Sequence, residues 1–243
     1  MFPSGEGSIR LFRVGGIQVY LHWSWFLVAV FELTTRREVY GSLAWNAAEY
    51  LALFGIVLLH EFGHALACRS VGGRAEQIVL WPLGGVAYVQ PPERPGAVLW
   101  SIAAGPLVNV VLFTVLTAWS VFVWPDLESV PREWWLFWRS LWIINVVLLV
   151  FNLLPIYPLD GGQILRALLW FALGRARSLQ VAAGIGLVGT ALLALGAIWL
   201  RSVWAGLVVA FIGLNCWAGW KHARWLMQME RENAWLRVET SRD

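Results

Sequence analysis

Residues 43–68 read LAWNAAEYLALFGIVLLHEFGHALAC, and two features of that stretch decide how the rest is read. It is long and apolar enough to cross a hydrocarbon layer about 30 Å thick, which takes about 20 residues of helix. It also carries His60-Glu61-Phe62-Gly63-His64. On a helix, histidines four apart project from one face about one turn apart. They can hold one Zn²⁺ through imidazole nitrogens, with Glu61 beside them to take a proton from water. Ionisable groups inside a span are costly and usually mark function, which weighs against two merely buried histidines. At 1.5 Å per residue back from Arg69, His64 lies about 8 Å and His60 about 13 Å from that end of the helix. The metal therefore sits at membrane depth, and water must reach it through a cavity.

The remainder of the chain agrees with a bilayer. Its 243 residues are 59% hydrophobic and 14% charged, with 18 Trp and 12 Phe, against about 45–50% and 25% in soluble domains. Besides 43–68, apolar stretches at 17–33, 96–123, 135–154, 179–200 and 203–220 are long enough to span, so the fold class expected is an all-α polytopic membrane protein of about six helices. The first stretch lacks an Ala-x-Ala cleavage site and reads as a retained span. Six crossings put both ends on one side. Thirteen of the 18 Lys and Arg residues collect there, which predicts cytoplasmic termini. The net charge of +3 is then topological, and a nucleic-acid partner is not expected. Cys68 and Cys216 both lie in apolar text and propose no disulfide framework. Tryptophans mark interfaces rather than a cofactor site.

Two segments are not spans. Residues 76–92, EQIVLWPLGGVAYVQPP, are short and strand-like and read as a membrane-associated β-hairpin turning at Gly84-Gly85. Residues 221–243 form a charged tail, possible as an amphipathic interfacial helix, outside a main domain of 1–220.

A catalytic zinc held by two histidines is one protein ligand short. Of three aspartates, Asp126 falls in a far-side loop and Asp243 at the tail. Asp160 follows the fourth span at the depth of the histidines. It stands in Asn152-Leu-Leu-Pro155-Ile-Tyr-Pro158-Leu159-Asp160-Gly161-Gly162, where prolines break the helix and glycines admit close backbone. Asp160 is the expected third ligand.

These residues resemble the site-2 protease family of intramembrane zinc metalloproteases. The likeness rests on His60-Glu61-Phe62-Gly63-His64 together with Asn152-x-x-Pro155-x-x-Pro158-Leu159-Asp160-Gly161-Gly162. It extends to Gly105-Pro106-Leu107-Val108-Asn109, similar to that family's G-x-x-x-N element, to Trp81-Pro82-Leu83-Gly84-Gly85, similar to its reentrant hairpin, and to Gly16-Ile17 through His22-Trp23. About residues 14–220 are covered. The resemblance implies hydrolysis of a peptide bond within or next to a transmembrane segment of a membrane-protein substrate, in regulated proteolysis. It implies His60, His64 and Asp160 as zinc ligands and Glu61 as general base. It gives Asn152 a part in orienting the ligand loop or meeting substrate, and Asn109 a place lining the site. The residue-level reading of these two is interhelical hydrogen bonding, the only role expected of Asn145. Larger relatives carry PDZ-like or CBS domains that this text does not show, and six-span forms without them are mostly prokaryotic.

Two other readings use the same residues. Intramembrane His, Glu and Asp can line an ion path, but a transporter predicts inverted repeats and a relay across both halves, and here the cluster sits near one face. A catalytically dead scaffold would have no need of the intact Glu61.

Overall fold

The computed structural model describes residues 7–35, 39–81, 84–122 and 130–239. The chain divides into two compact units, Met1–Phe151 and Asn152–Asp243.

The first unit begins with a hairpin. Strand β1 (Ser8–Val14) pairs antiparallel with β2 (Ile17–His22) across Gly15 and Gly16, whose φ angles are +55° and +79°. Positive φ at both central residues is the geometry of a type I′ turn, which only residues such as glycine adopt cheaply. Helix α1 (Trp25–Thr35) and helix α2 (Leu43–Ser70) follow, then β3 (Arg74–Trp81) and β4 (Gly84–Gln90). The strands form one sheet in the order β1-β2-β3-β4, with β2 parallel to β3 and the outer pairs antiparallel. Ile17, Val19, Ile78 and Leu80 from the sheet bury against Val57, Ala65 and Cys68 of α2, with Trp25. Arg69 at the end of α2 ties this together: Nε donates to the Ala75 carbonyl at 2.9 Å, and Nη1 to the Gly15 carbonyl.

Helix α3 (Pro95–Phe122) runs against α2, and α4 (Arg132–Leu153) completes the unit. The α2–α3 approach is close because Gly63 has no side chain; a Cβ there would stand 2.6 Å from the Ala104 carbonyl oxygen. In the second unit α5 (Asp160–Leu173), α6 (Arg175–Trp199) and α7 (Val203–Glu239) pack in sequence.

Among the described residues five helices are long and apolar enough to cross a membrane: Leu43–Ser70, Pro95–Phe122, Arg132–Leu153, Arg175–Trp199 and Val203–Glu232. Their apolar side chains face outward, as on Phe122, Trp199 and Val203, each at least 80% exposed. This is a membrane protein whose outer solvent is hydrocarbon.

The expected first span is corrected. Residues 17–33 divide into strand β2 and α1, whose 11 residues reach about 16 Å, half of what a bilayer asks. Five such helices among the described residues stand beside the expected count of about six. The hairpin also differs in detail. Gly84 and Gly85 open β4 opposite Trp81 and Leu80, so they are strand residues rather than the turn. Residues 82–83, between the strands, lie outside the described residues. Helix α7 continues through residue 220 into the charged segment without a break.

Candidate metal centre

Helix α2 places His60, Glu61 and His64 on its inner side, at 3%, 5% and 6% exposure. The Nε2 atoms of the two histidines face each other at 3.1 Å, the rings being nearly perpendicular. A tetrahedral ion holding two nitrogens at about 2.0–2.1 Å keeps them about 3.3 Å apart. One atom of each of His60, Glu61 and His64 lies within 4.8 Å of the others, and this is the metal-capable group found among the described residues.

Hydrogen bonding behind the rings fixes both Nδ1 atoms as donors. His64 Nδ1 lies 2.9 Å from the backbone carbonyl of Ser101. A carbonyl only accepts, so Nδ1 donates, and in the neutral imidazole Nε2 then holds the lone pair. His60 Nδ1 lies 2.5 Å from Asn109 Oδ1, and the orientation of that amide is fixed one step further out. Asn145 Nδ2 donates to the backbone carbonyl of Asn109 at 2.9 Å, so Asn145 turns its Oδ1 to Asn109 Nδ2, at 2.8 Å. That leaves Asn109 Oδ1 as the acceptor for His60. Both Nε2 atoms therefore present lone pairs to the same point, an arrangement that a shared cation stabilises and that would otherwise be repulsive. The residues fit zinc: soft enough nitrogen donors, the right spacing, and partners that orient both rings.

Room for the ion is made by Gly105 of α3. A Cβ there would stand 2.2 Å from His64 Nε2 and 2.9 Å from His60 Nε2. Gly105 and Asn109 are four apart on one face of α3, so the G-x-x-x-N element supplies space at one position and a ring-orienting acceptor at the other.

Glu61 is held from the sheet: its Oε2 accepts the backbone N–H of Ala87 in β4 at 2.9 Å. The first unit thus brings His60, Glu61, His64 and Asn109 together with one strand of the expected hairpin. Asn145, read from sequence as a packing residue, is the outer link of the His60 chain. Ser101 acts through its backbone carbonyl, which leaves no side-chain signature in the sequence.

Asn152 and Asp160 belong to the second unit. Asn152 is half-buried near the end of α4, and Asp160 is the first residue of α5. The glycines after it have the work expected of them. A Cβ on Gly161 would meet the Leu153 carbonyl oxygen at 2.3 Å, and one on Gly162 the Tyr157 nitrogen at 2.3 Å. The first turn of α5 therefore lies directly on the 153–159 backbone.

Comparison with known proteins agrees with this geometry. The sequence model for Peptidase family M50 matches residues 48–130 and 125–196. A zinc metalloprotease of Methanocaldococcus jannaschii is 37% identical over 181 residues, covering 74% of this chain and 50% of that protein. Stage IV sporulation protein FB of Bacillus subtilis is 34% identical over 130 residues, 51% of this chain and 41% of that one. The chain spans about half the length of the curated relatives it matches. Among solved structures, the site-2 protease from Methanocaldococcus jannaschii superposes with a TM-score of 0.61 at 30% identity, over 88% of this chain and 95% of that one. With a two-part match across most of its length and a shared fold, the chain belongs to peptidase family M50, the site-2 protease family.

Proposed function

We propose that the protein is an intramembrane zinc metalloprotease that hydrolyses a peptide bond within or next to a transmembrane segment of another membrane protein. The observation that carries this is the pair of Nε2 lone pairs 3.1 Å apart, with Glu61 beside them, inside a helix of spanning length. His60, His64 and Asp160 would hold the ion. Bound zinc supplies a Lewis acid that polarises a carbonyl and brings the pKa of water near 7. Glu61 takes the proton of the attacking water and returns it to the leaving amine. The Ala87 N–H keeps the carboxylate aimed while it does so.

A helical substrate hides its carbonyls in hydrogen bonds and has to unwind before attack. Strand β4 is an edge of the sheet, and one of its N–H groups already reaches Glu61. An extended segment added along that edge lies beside the general base. Gly84 and Gly85 start that strand, and Asn152 orients the segment that carries Asp160. Substitutions at Gly84 or Gly85 that left cleavage rate and site choice unchanged would remove the hairpin from this account.

The deciding experiment is Glu61→Gln in the full chain, co-expressed with a membrane-protein substrate. Zinc content and fold stay, and cleavage falls by about 10²–10⁴-fold, the usual contribution of a positioned general base. Cleavage that persists overturns the proposal; metal transport or scaffolding would survive the substitution.

A further inference from the structure

We infer that helices α6 and α7 form a seat whose missing side chains receive Ile156 and Tyr157 and thereby position Asp160 for the metal. This rests on the zinc-ligand reading of Asp160 and assigns a task to two helices that carry none of the expected chemistry.

The segment between α4 and α5 is neither helix nor strand, and such backbone is tolerated at membrane depth only where protein satisfies it. Most of its carbonyls have a partner within the unit. Leu154 O accepts from the Ile156 N–H at 2.7 Å and Ile156 O from the Leu159 N–H at 2.8 Å. Pro158 O accepts from Gln163 Nε2 at 2.8 Å. The Tyr157 carbonyl reaches across to α7, accepting from the Cys216 thiol.

Around that bond the two helices are cut back. A Cβ on Gly186 of α6 would stand 2.7 Å from Cys216 Sγ and 2.9 Å from the Tyr157 nitrogen. A Cβ on Gly189 would meet Cγ1 and Cδ1 of Ile156 at 2.7 and 2.8 Å, and one on Gly219 of α7 would meet Cε1 of Tyr157 at 2.8 Å. Gly186 and Gly189 are three apart on α6, as Cys216 and Gly219 are on α7, so each helix offers one face to the segment. Thr190 backs the thiol, its Oγ1 lying 3.8 Å from Cys216 Sγ. Two residues of the segment are therefore locked by side chain and backbone, and Asp160 follows three positions after Tyr157. A carboxylate that must meet an ion within a few tenths of an ångström needs its backbone held in this way. The small residues at these four positions are what make the hold possible.

The test measures Zn²⁺ affinity of the purified full chain by competition with a chromogenic chelator, beside thermal unfolding. Asp160→Asn serves as the reference. Gly186→Ala and Gly219→Ala are expected to weaken zinc about 10–100-fold, the range for loss of groups that orient metal ligands. Gly189→Ala does the same, and adding Ile156→Ala, which removes the obstructed atoms, restores affinity to within about threefold; recovery of that kind excludes general misfolding. If Asp160→Asn weakens zinc while the glycine variants do not, or if the double variant fails to recover, the seat is wrong and the ligand assignment stands. If Asp160→Asn leaves zinc unchanged, the ligand assignment falls and the seat with it.

Discussion

Asn145 gives its side-chain N–H to the backbone carbonyl of Asn109 and takes one back from the Asn109 side chain, so the two amides lock each other in a single orientation across α3 and α4. Because Asn109 is thereby left with only an oxygen to offer His60, a residue two links from the proposed metal position decides which imidazole nitrogen faces it. Asn145→Leu removes the lock and frees Asn109 to turn its NH₂ toward His60, which disfavours the ligating tautomer. Zinc affinity should fall about 10–100-fold, and chelator competition on the purified variant measures it. Asn145→Gln, which keeps both groups on a longer arm, should recover part of the loss. Equal affinity in all three proteins would show that the amide chain does not govern the ligand.

Gly105 makes a sharper case because the obstruction is at the metal position itself. A methyl group 2.2 Å from His64 Nε2 overlaps both the ring and the ion. Gly105→Ala should therefore abolish zinc retention through purification while leaving the helices in place. Metal analysis together with far-ultraviolet circular dichroism separates the two effects. Retained zinc at one ion per chain would mean that α3 yields at this point.

How much of this was legible in the text depends on whether the signal was local. His60, Glu61 and His64 could be read directly, since helical spacing alone puts two imidazoles on one face. Ser101, Gly105 and Asn145 owe their roles to α3 and α4 lying against α2, and no spacing within one segment reports that. The β1–β2 hairpin had a usable signal, Gly15-Gly16 between two alternating runs. It was hidden because the apolar run of β2 passes straight into α1, and a short apolar run has no period of its own. Gly84-Gly85 has the composition of a turn; in the sheet those residues pair with Trp81 and Leu80, where strand pairing prevails over turn preference. Arg69 counted only as a topology charge, although its guanidinium joins α2 to the β1–β2 turn and to β3.

That last contact yields a stability prediction. Arg69 donates to two backbone carbonyls in a fixed fork, which a lysine ammonium does not reproduce. Hydrogen bonds to charged groups are worth about 1.5–3 kcal/mol, so Arg69→Lys should lower the midpoint of thermal unfolding in detergent and loosen the sheet before the helices. Hydrogen exchange resolved by segment is the measurement, with faster exchange expected in β1, β2 and β3. Uniform exchange between variant and parent would count against Arg69 as an anchor.

The Ala87 N–H is a contact by which the sheet reaches the proposed proton carrier, and proline at that position deletes the donor. Proline is tolerated on an edge strand, and β4 is one. Losing a charge-assisted bond of about 1.5–3 kcal/mol weakens the hold on the carboxylate. Ala87→Pro should then cut kcat for a co-purified membrane substrate about 10–100-fold at unchanged zinc content. Ala87→Gly, which keeps the N–H, should stay near the parent. A drop in the glycine variant as large as in the proline variant would assign the effect to the side chain or the strand rather than to the hydrogen bond.

Removal of the ion tests the pair of imidazoles as a unit. With both Nδ1 atoms directed at acceptors of α3, an ion bound at the two Nε2 atoms favours the ring orientations that those contacts hold, so a bound metal adds to stability as well as to chemistry. A site occupied at one hundred times its dissociation constant adds about 2.7 kcal/mol to stability. Treatment with a strong chelator should lower the unfolding midpoint and stop cleavage together. Zn²⁺ should restore both, and Mg²⁺ neither, because imidazole donors suit zinc and leave a hard, oxygen-seeking cation poorly held. If Mg²⁺ restored stability as well as Zn²⁺ did, the donors at the site would have to be oxygens, and His60 and His64 would lose their assigned place.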